Sequence, residues 1–87
     1  NHECSFVNRT YGFWDELSKR FKIGTAMKLY KEFNTIFSYL PFAALIKGKI
    51  LCMHGGISPK LHTIDDIRRI SLPVEDPPLN SIEQDLL

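Results

Sequence analysis

The sequence predicts an α/β fold, with two helices followed by a β-hairpin and then two short helices. Apolar residues recur at helical spacing as far as Leu40, and two short, continuous apolar runs follow Pro41. Of the 87 residues, 44% are hydrophobic and 24% are charged, a globular composition that excludes a disordered or fibrous chain. A chain of this length has room for one small core.

The first helix is predicted over residues 3–21. Its apolar side chains recur every three or four positions, which places them on one helical face. Gly12 lies inside this span and should weaken the helix by about 1 kcal/mol relative to alanine. The face could line a ligand groove, although aromatic residues at this spacing are more typical of a core. It consists of Val7, Tyr11, Trp14, Leu17 and Phe21, of which Tyr11 is expected to reach the surface because its hydroxyl needs water or a partner.

A second helix is predicted after Gly24, which is expected to break the chain. The helix should end before Pro41, because proline disfavours helical backbone in the residue that precedes it. We expect the two helices to pack together as a hairpin. The apolar positions of the second helix are Leu29, Tyr30, Phe33, Ile36, Phe37 and Leu40.

A β-hairpin is predicted from the apolar runs 42–46 and 50–53 around the turn Lys47-Gly48-Lys49. Both runs are continuously apolar rather than alternating, which is typical of strands covered on both faces. Because 87 residues can hardly cover both faces, we expect further protein around this hairpin. The chain also starts without Met and stops at Leu87 in mid-pattern, so residues 1–87 are interpreted as the central segment of a single domain, incomplete at both ends.

Two short helices are predicted after the hairpin from their capping residues. Thr63 with Asp66 and Ser81 with Gln84 both have the spacing of a capping box, in which each side chain bonds the other residue's backbone N–H. Pro73, Pro77 and Pro78 mark a surface loop between the two helices.

His54 is the most informative candidate site residue in the sequence. It ends the second strand and is followed by Gly55 and Gly56, which allow close backbone approach and unusual φ. A histidine in this position can ligate a metal through one ring nitrogen, or can be hydrogen-bonded within a turn. Asn1-His2-Glu3 also offers polar ligands but by itself is typical of a polar tail, and His62 is expected to be solvated.

Charge and cysteine content exclude several classes of protein. The net charge of +1 gives no electrostatic support for nucleic acid or an anionic membrane as partner, and no apolar run is long enough to cross a bilayer. Cys4 and Cys52 are too few for a secreted disulfide scaffold, so a reducing compartment, cytoplasmic or nuclear, is expected. A zinc site formed by both cysteines with His2 and His54 fits the residue types, but the spacing matches no knuckle or finger.

Short blocks along the whole chain carry a family likeness. They are Asn1-His2-Glu3-Cys4, Asn8-Arg9, Tyr11-Gly12-Phe13, Leu40-Pro41, Cys52-Met53-His54-Gly55-Gly56-Ile57-Ser58-Pro59, Ile67-Arg68-Arg69 and Asp85-Leu86-Leu87. In this order they resemble the metal-dependent serine/threonine protein phosphatases of the calcineurin-like metallophosphoesterase superfamily, most closely the protein phosphatase 1 type. The resemblance implies part of a four-layer β-sandwich flanked by helices.

The resemblance also implies a reaction and the residues that perform it. Phosphoserine and phosphothreonine in protein substrates would be hydrolysed by a water or hydroxide held between two metal ions, manganese, or iron or zinc. Asn1 and His54 would ligate the second metal, and His2 would protonate the leaving oxygen. Tyr11 and Val7 would line a hydrophobic groove beside the catalytic centre.

A docking role for Ile50 is a further implication of the likeness. In protein phosphatase 1 the matching position helps to form a groove for Val-x-Phe motifs of regulatory subunits, although Ile50 could also be an ordinary strand residue. The adjacent turn Lys47-Gly48-Lys49 differs from that of protein phosphatase 1. It has basic residues where the relative has acidic residues before its lysine, so the choice of partner is expected to differ.

The family motifs that hold the first metal, Asp-x-His and Gly-Asp-x-x-Asp-Arg-Gly, do not occur in these residues. The chain therefore offers two ligands for the second metal and none for the first, and we expect the 87 residues alone to be inactive. The alternatives to an enzyme are an inactive phosphatase-like binding scaffold and, more remotely, a small helical interaction module.

Overall fold

A computed structural model describes all 87 residues. The chain divides into two compact units, which are described separately. The first unit comprises Asn1–Leu40 with Pro73–Asp76, and the second comprises Pro41–Leu72 with Pro77–Leu87. The elements in chain order are α1 (Ser5–Thr10), α2 (Phe13–Arg20), α3 (Ile23–Phe37), β1 (Ala43–Ile46), β2 (Ile50–Met53), α4 (Ile64–Arg68) and α5 (Ile82–Leu86).

The single helix predicted over residues 3–21 is wrong, because the structure divides it into α1 and α2. Gly12 caps the start of α2 with φ of +101°, a left-handed conformation that side-chain-bearing residues rarely adopt. A Cβ built on Gly12 would meet no atom within 4 Å, so the glycine serves the backbone conformation rather than close packing. Periodicity could not detect this break, because the apolar spacing continues across it.

The predicted break at Gly24 is also wrong, because Gly24 lies in the first turn of α3. The chain instead leaves helical conformation at Phe21, whose φ and ψ are extended. The predicted pairing of the two helices is confirmed. The ring of Phe13, at the start of α2, lies 5.3 Å from Phe33 in an edge-on contact and 6.1 Å from Phe37, at the end of α3. These contacts make α2 and α3 antiparallel neighbours.

A buried polar network ties α1 to α3. Asn8 is only 3% exposed, and its Nδ2 donates to Asn34 Oδ1 over 2.8 Å. The hydroxyl of Tyr30 lies 2.8 Å from Asn8 Oδ1 and 2.9 Å from the carbonyl oxygen of Ser5. No buried side-chain nitrogen or oxygen lacks a hydrogen-bond partner, so the burial of Asn8 is fully compensated. The network fixes the position of α1 along α3.

In the second unit, the predicted β-hairpin is confirmed. Strands β1 and β2 are antiparallel, with Ala43 opposite Met53 and Ile46 opposite Ile50. The turn uses positive φ at Lys47 and Gly48, as a tight hairpin requires. Ile46 and Ile50 are 49% and 58% exposed, so these 87 residues do not cover the strands on both faces.

Both predicted helix caps are present, the second in a modified form. At α4 the Asp66 carboxylate accepts from the backbone N–H of Thr63 over 2.7 Å and of His62 over 3.0 Å, and these donors hold the pKa of Asp66 below its usual value. At α5 the Ser81 hydroxyl accepts from the N–H of Gln84, but the Gln84 side chain accepts from Asn80 instead of Ser81.

No helix of the structure has the length and apolar content needed to span a membrane.

Candidate active-site residues

Asn1 and His2 lie in a turn that leads into α1. The N–H of Cys4 donates to the carbonyl oxygen of Asn1 over 3.0 Å and closes the turn. The ring of His2 contacts the ring of Tyr11, with centroids 5.0 Å apart and planes inclined by 59°. The structure therefore brings together the predicted proton donor and one of the two predicted groove residues.

Of the two predicted groove residues, Val7 lies inside α1 and Tyr11 directly follows its last residue. Tyr11 is 74% exposed, as its hydroxyl led us to expect, whereas Val7 is half-buried. The N–H of Tyr11 donates to the carbonyl oxygen of Val7 over 2.9 Å, which ends the helix. The Tyr11 ring is thus exposed while it contacts His2, and the function of Tyr11 and Val7 as a substrate groove stays a prediction.

The start of α1 is held by a residue that the sequence pattern did not indicate. Asp76 accepts from the Ser5 N–H over 2.9 Å and from the Ser5 hydroxyl over 2.8 Å, although the two residues are 71 positions apart. A carboxylate at this end of a helix satisfies a free N–H and favours the helix dipole. No local spacing rule could have found this pair.

Cys4, just ahead of α1, is buried, and desolvation by burial raises the pKa of its thiol above the ordinary value. Cys52 is exposed, and both cysteines are free. In neither unit do three or more His, Cys, Asp or Glu side chains form a cluster that could hold a metal ion.

His54 is exposed and directly follows β2. The next two residues pair with the end of α5, since Gly55 N–H donates to Leu86 O over 2.8 Å and Gly56 N–H to Asp85 O over 3.0 Å. A Cβ on Gly55 would lie 2.7 Å from the backbone carbonyl carbon of Leu87. Gly55 thus makes the close backbone approach that a glycine allows, whereas neither glycine has positive φ.

A buried serine completes the contact between this loop and α5. Ser58 is 2% exposed, and its hydroxyl donates to Asp85 Oδ2 over 2.6 Å while accepting from the N–H of Lys60 over 3.1 Å. The sequence indicated only that Ser58 and Asp85 each belong to a family block. Their direct pairing spans 27 positions and has no local pattern.

Ile50, at the start of β2, lies directly across from Ile46. Opposite residues of an antiparallel pair project to the same face, so the two isoleucines form one apolar surface beside the exposed Lys47 and Lys49. This surface is available for contact in the structure, and the docking function of Ile50 stays a prediction.

The donor atoms of Asn1 and His54 fit the chemistry expected of a metal site in this kind of enzyme. An amide oxygen and an imidazole nitrogen suit manganese, iron and zinc. Asn1 belongs to the first unit and His54 to the second, and their function as metal ligands stays a prediction.

Comparison with known proteins identifies the family. The model of the calcineurin-like phosphoesterase family matches residues 1–87. The chain belongs to the calcineurin-like phosphoesterase family. A serine/threonine-protein phosphatase PP1-delta of Caenorhabditis elegans is 46% identical over 87 residues. That alignment covers 100% of this chain and 27% of the nematode phosphatase.

The family resemblance inferred from the sequence blocks is thereby confirmed, including the likeness to the protein phosphatase 1 type. The mixed helices and antiparallel hairpin are also consistent with part of a calcineurin-like phosphoesterase fold. Neither comparison tests the functions of Asn1, His2, Val7, Tyr11, Ile50 or His54, which stay predictions.

Proposed function

We propose that residues 1–87 are the central segment of one catalytic domain in a metal-dependent protein phosphatase that hydrolyses phosphoserine and phosphothreonine. The match of the calcineurin-like phosphoesterase model to the whole chain carries this proposal. The 46% identity to a serine/threonine phosphatase supports the choice of phosphoserine and phosphothreonine as substrates.

Two residues of this chain would hold a metal. The amide oxygen of Asn1 and a ring nitrogen of His54 are the proposed ligands of one of two ions, manganese, or iron or zinc. When bound, such ions polarise phosphoryl oxygens and make a nucleophilic water available near neutral pH.

His2 would act on the leaving group. A serine or threonine alkoxide leaves poorly, so the cationic imidazole donates its proton to the side-chain oxygen as the bond between phosphorus and oxygen breaks. Such general acid catalysis contributes about 10²–10⁴-fold. The ring of His2 contacts the ring of Tyr11, and a proton donor depends on the orientation that such neighbours give it.

The proposal is tested on the purified full-length gene product with phosphoserine, phosphothreonine and phosphotyrosine peptides. We expect manganese-dependent release of phosphate from the first two peptides and its loss on addition of a chelator. Peptide binding without phosphate release would favour the inactive scaffold. The flanking coding sequence gives an independent check, because an enzyme needs the two aspartate-containing motifs that hold the first metal.

We also propose that Ile50 contributes to a docking surface for regulatory subunits. Burying one apolar side chain contributes roughly 1.5–3 kcal/mol, and truncation to alanine removes part of that. Ile50→Ala in the full-length gene product should therefore weaken a Val-x-Phe peptide by about tenfold or somewhat less, as measured by calorimetry. Hydrolysis of a small phosphate ester should stay near its starting rate.

The matched control for this variant is Leu79→Ala, which truncates another exposed aliphatic side chain of the second unit. It should leave peptide affinity unchanged. Equal affinities for the Ile50→Ala and wild-type proteins would show that Ile50 is an ordinary strand residue and that the likeness to protein phosphatase 1 does not extend to this contact.

A further inference from the structure

We propose that Ser58 and Asp85 are positioning residues for His54, holding the loop that carries it against α5. The inference rests on the proposed function of His54 as a metal ligand. Neither residue is assigned to the metal itself, since each acts through the backbone of the loop.

The loop and the helix end share two backbone hydrogen bonds, from Gly55 to Leu86 and from Gly56 to Asp85. The approach is so close that a Cβ at Gly55 would overlap the carbonyl carbon of Leu87, directly after α5, and crowd the backbone of Asp85 and Leu86. The position of α5 therefore sets the position of the backbone immediately after His54.

The Ser58–Asp85 hydrogen bond closes the other end of this contact. This bond is 2.6 Å long, and it joins the almost fully buried Ser58 hydroxyl to a carboxylate. Hydrogen bonds to charged groups are shorter than those between neutral groups and roughly twice as strong. Asp85 thus binds the loop twice, through its carbonyl oxygen to Gly56 and through its side chain to Ser58.

Helix α5 needs such contacts because it has only five residues, too few for an isolated helix to be stable in water. Leu86 is completely buried and anchors one side of it. With the loop released, both α5 and the backbone of His54 would gain freedom. Removing a group that orients a metal ligand typically costs 10–100-fold in metal affinity.

The test compares Ser58→Ala, Asp85→Ala and Asp85→Asn in the full-length gene product. Manganese affinity is measured by competition titration, thermal unfolding is followed in parallel, and amide hydrogen exchange is recorded at Gly55 and Gly56. We expect about tenfold weaker manganese binding and faster exchange in both alanine variants. Asp85→Asn keeps an acceptor oxygen without the charge, so it should lose less manganese affinity than Asp85→Ala.

Ser81→Ala is the matched control, because Ser81 caps the same helix but makes no bond to the loop. It should lower thermal stability with manganese affinity unchanged. The proposal is overturned if Ser58→Ala and Asp85→Ala behave like Ser81→Ala. If Asp85→Ala does not fold, Ser58→Ala decides alone, since that variant removes only the hydroxyl donor and its wild-type affinity and exchange also overturn the proposal.

His54→Asn separates this inference from the function on which it rests. Unchanged manganese affinity in His54→Asn means that His54 is not a ligand, and the assignment of the metal site fails. Weakened binding in His54→Asn combined with wild-type affinity in Ser58→Ala and Asp85→Ala rejects only the positioning function.

Discussion

Replacing His2 with asparagine in the full-length gene product should lower the maximal rate of phosphoester hydrolysis by about 10²–10⁴-fold while leaving the metal content near that of wild type. The loss follows from the leaving oxygen, which no longer receives a proton as the ester bond breaks. The measurement is the rate with a phosphoserine peptide beside the metal stoichiometry of the same sample.

His54→Asn should show the opposite order of effects, with reduced metal content as the primary change. His62→Asn is the matched control, since His62 is an exposed loop histidine to which no chemistry is assigned. It should change neither the rate nor the metal content. Equal metal loss in His2→Asn and His54→Asn would argue that His2 is a ligand rather than the proton donor.

Gly55→Ala should destabilise the full-length gene product and reduce its metal content. The new Cβ would lie 2.7 Å from the Leu87 carbonyl carbon and 3.1 Å from Asp85 O, and these are backbone atoms that cannot simply rotate away. Overpacking of this kind typically costs about 1–3 kcal/mol. Loss of the Gly55–Leu86 hydrogen bond adds about 0.5–1.5 kcal/mol, so denaturant unfolding should show a clear drop in the free energy of unfolding.

The neighbouring glycine provides the matched control. A Cβ on Gly56 would be 4.0 Å from Asp85 O, an ordinary van der Waals distance, so Gly56→Ala should be tolerated far better than Gly55→Ala. Similar stabilities for the two variants would mean that α5 moves freely away from the loop, contrary to the close contact in the structure.

Features that depend on neighbouring residues could be predicted from the sequence. Thr63 and Asp66 lie within one helical turn, so their spacing alone indicated the cap of α4. The hairpin followed from two apolar runs around a glycine turn. The break at Gly12 escaped detection because an apolar period carries no information about the sign of φ.

The long-range contacts of the candidate site could not be predicted in the same way. Ser58 and Asp85 each have many potential partners, and only the folded chain selects one of them. Functions for His2 and His54 came from the family likeness, whereas the contact of His2 with Tyr11 came from the structure. Sequence patterns thus supplied residue types and local turns, and the fold supplied the pairings between distant positions.

The hydrogen bonds among Asn8, Tyr30 and Asn34 restrict how this protein can diverge. Phenylalanine at position 30 would take the hydroxyl donor away from Asn8 Oδ1, and a buried acceptor left unpaired costs about 1–3 kcal/mol. Leucine at position 8 would likewise remove the donor to Asn34 Oδ1. A single substitution in this network therefore lowers stability, whereas a joint replacement of the partners by apolar residues of matched shape is nearly neutral. In descendants of this sequence we expect the three positions to mutate together, so that their covariation would report the packing of α1 on α3.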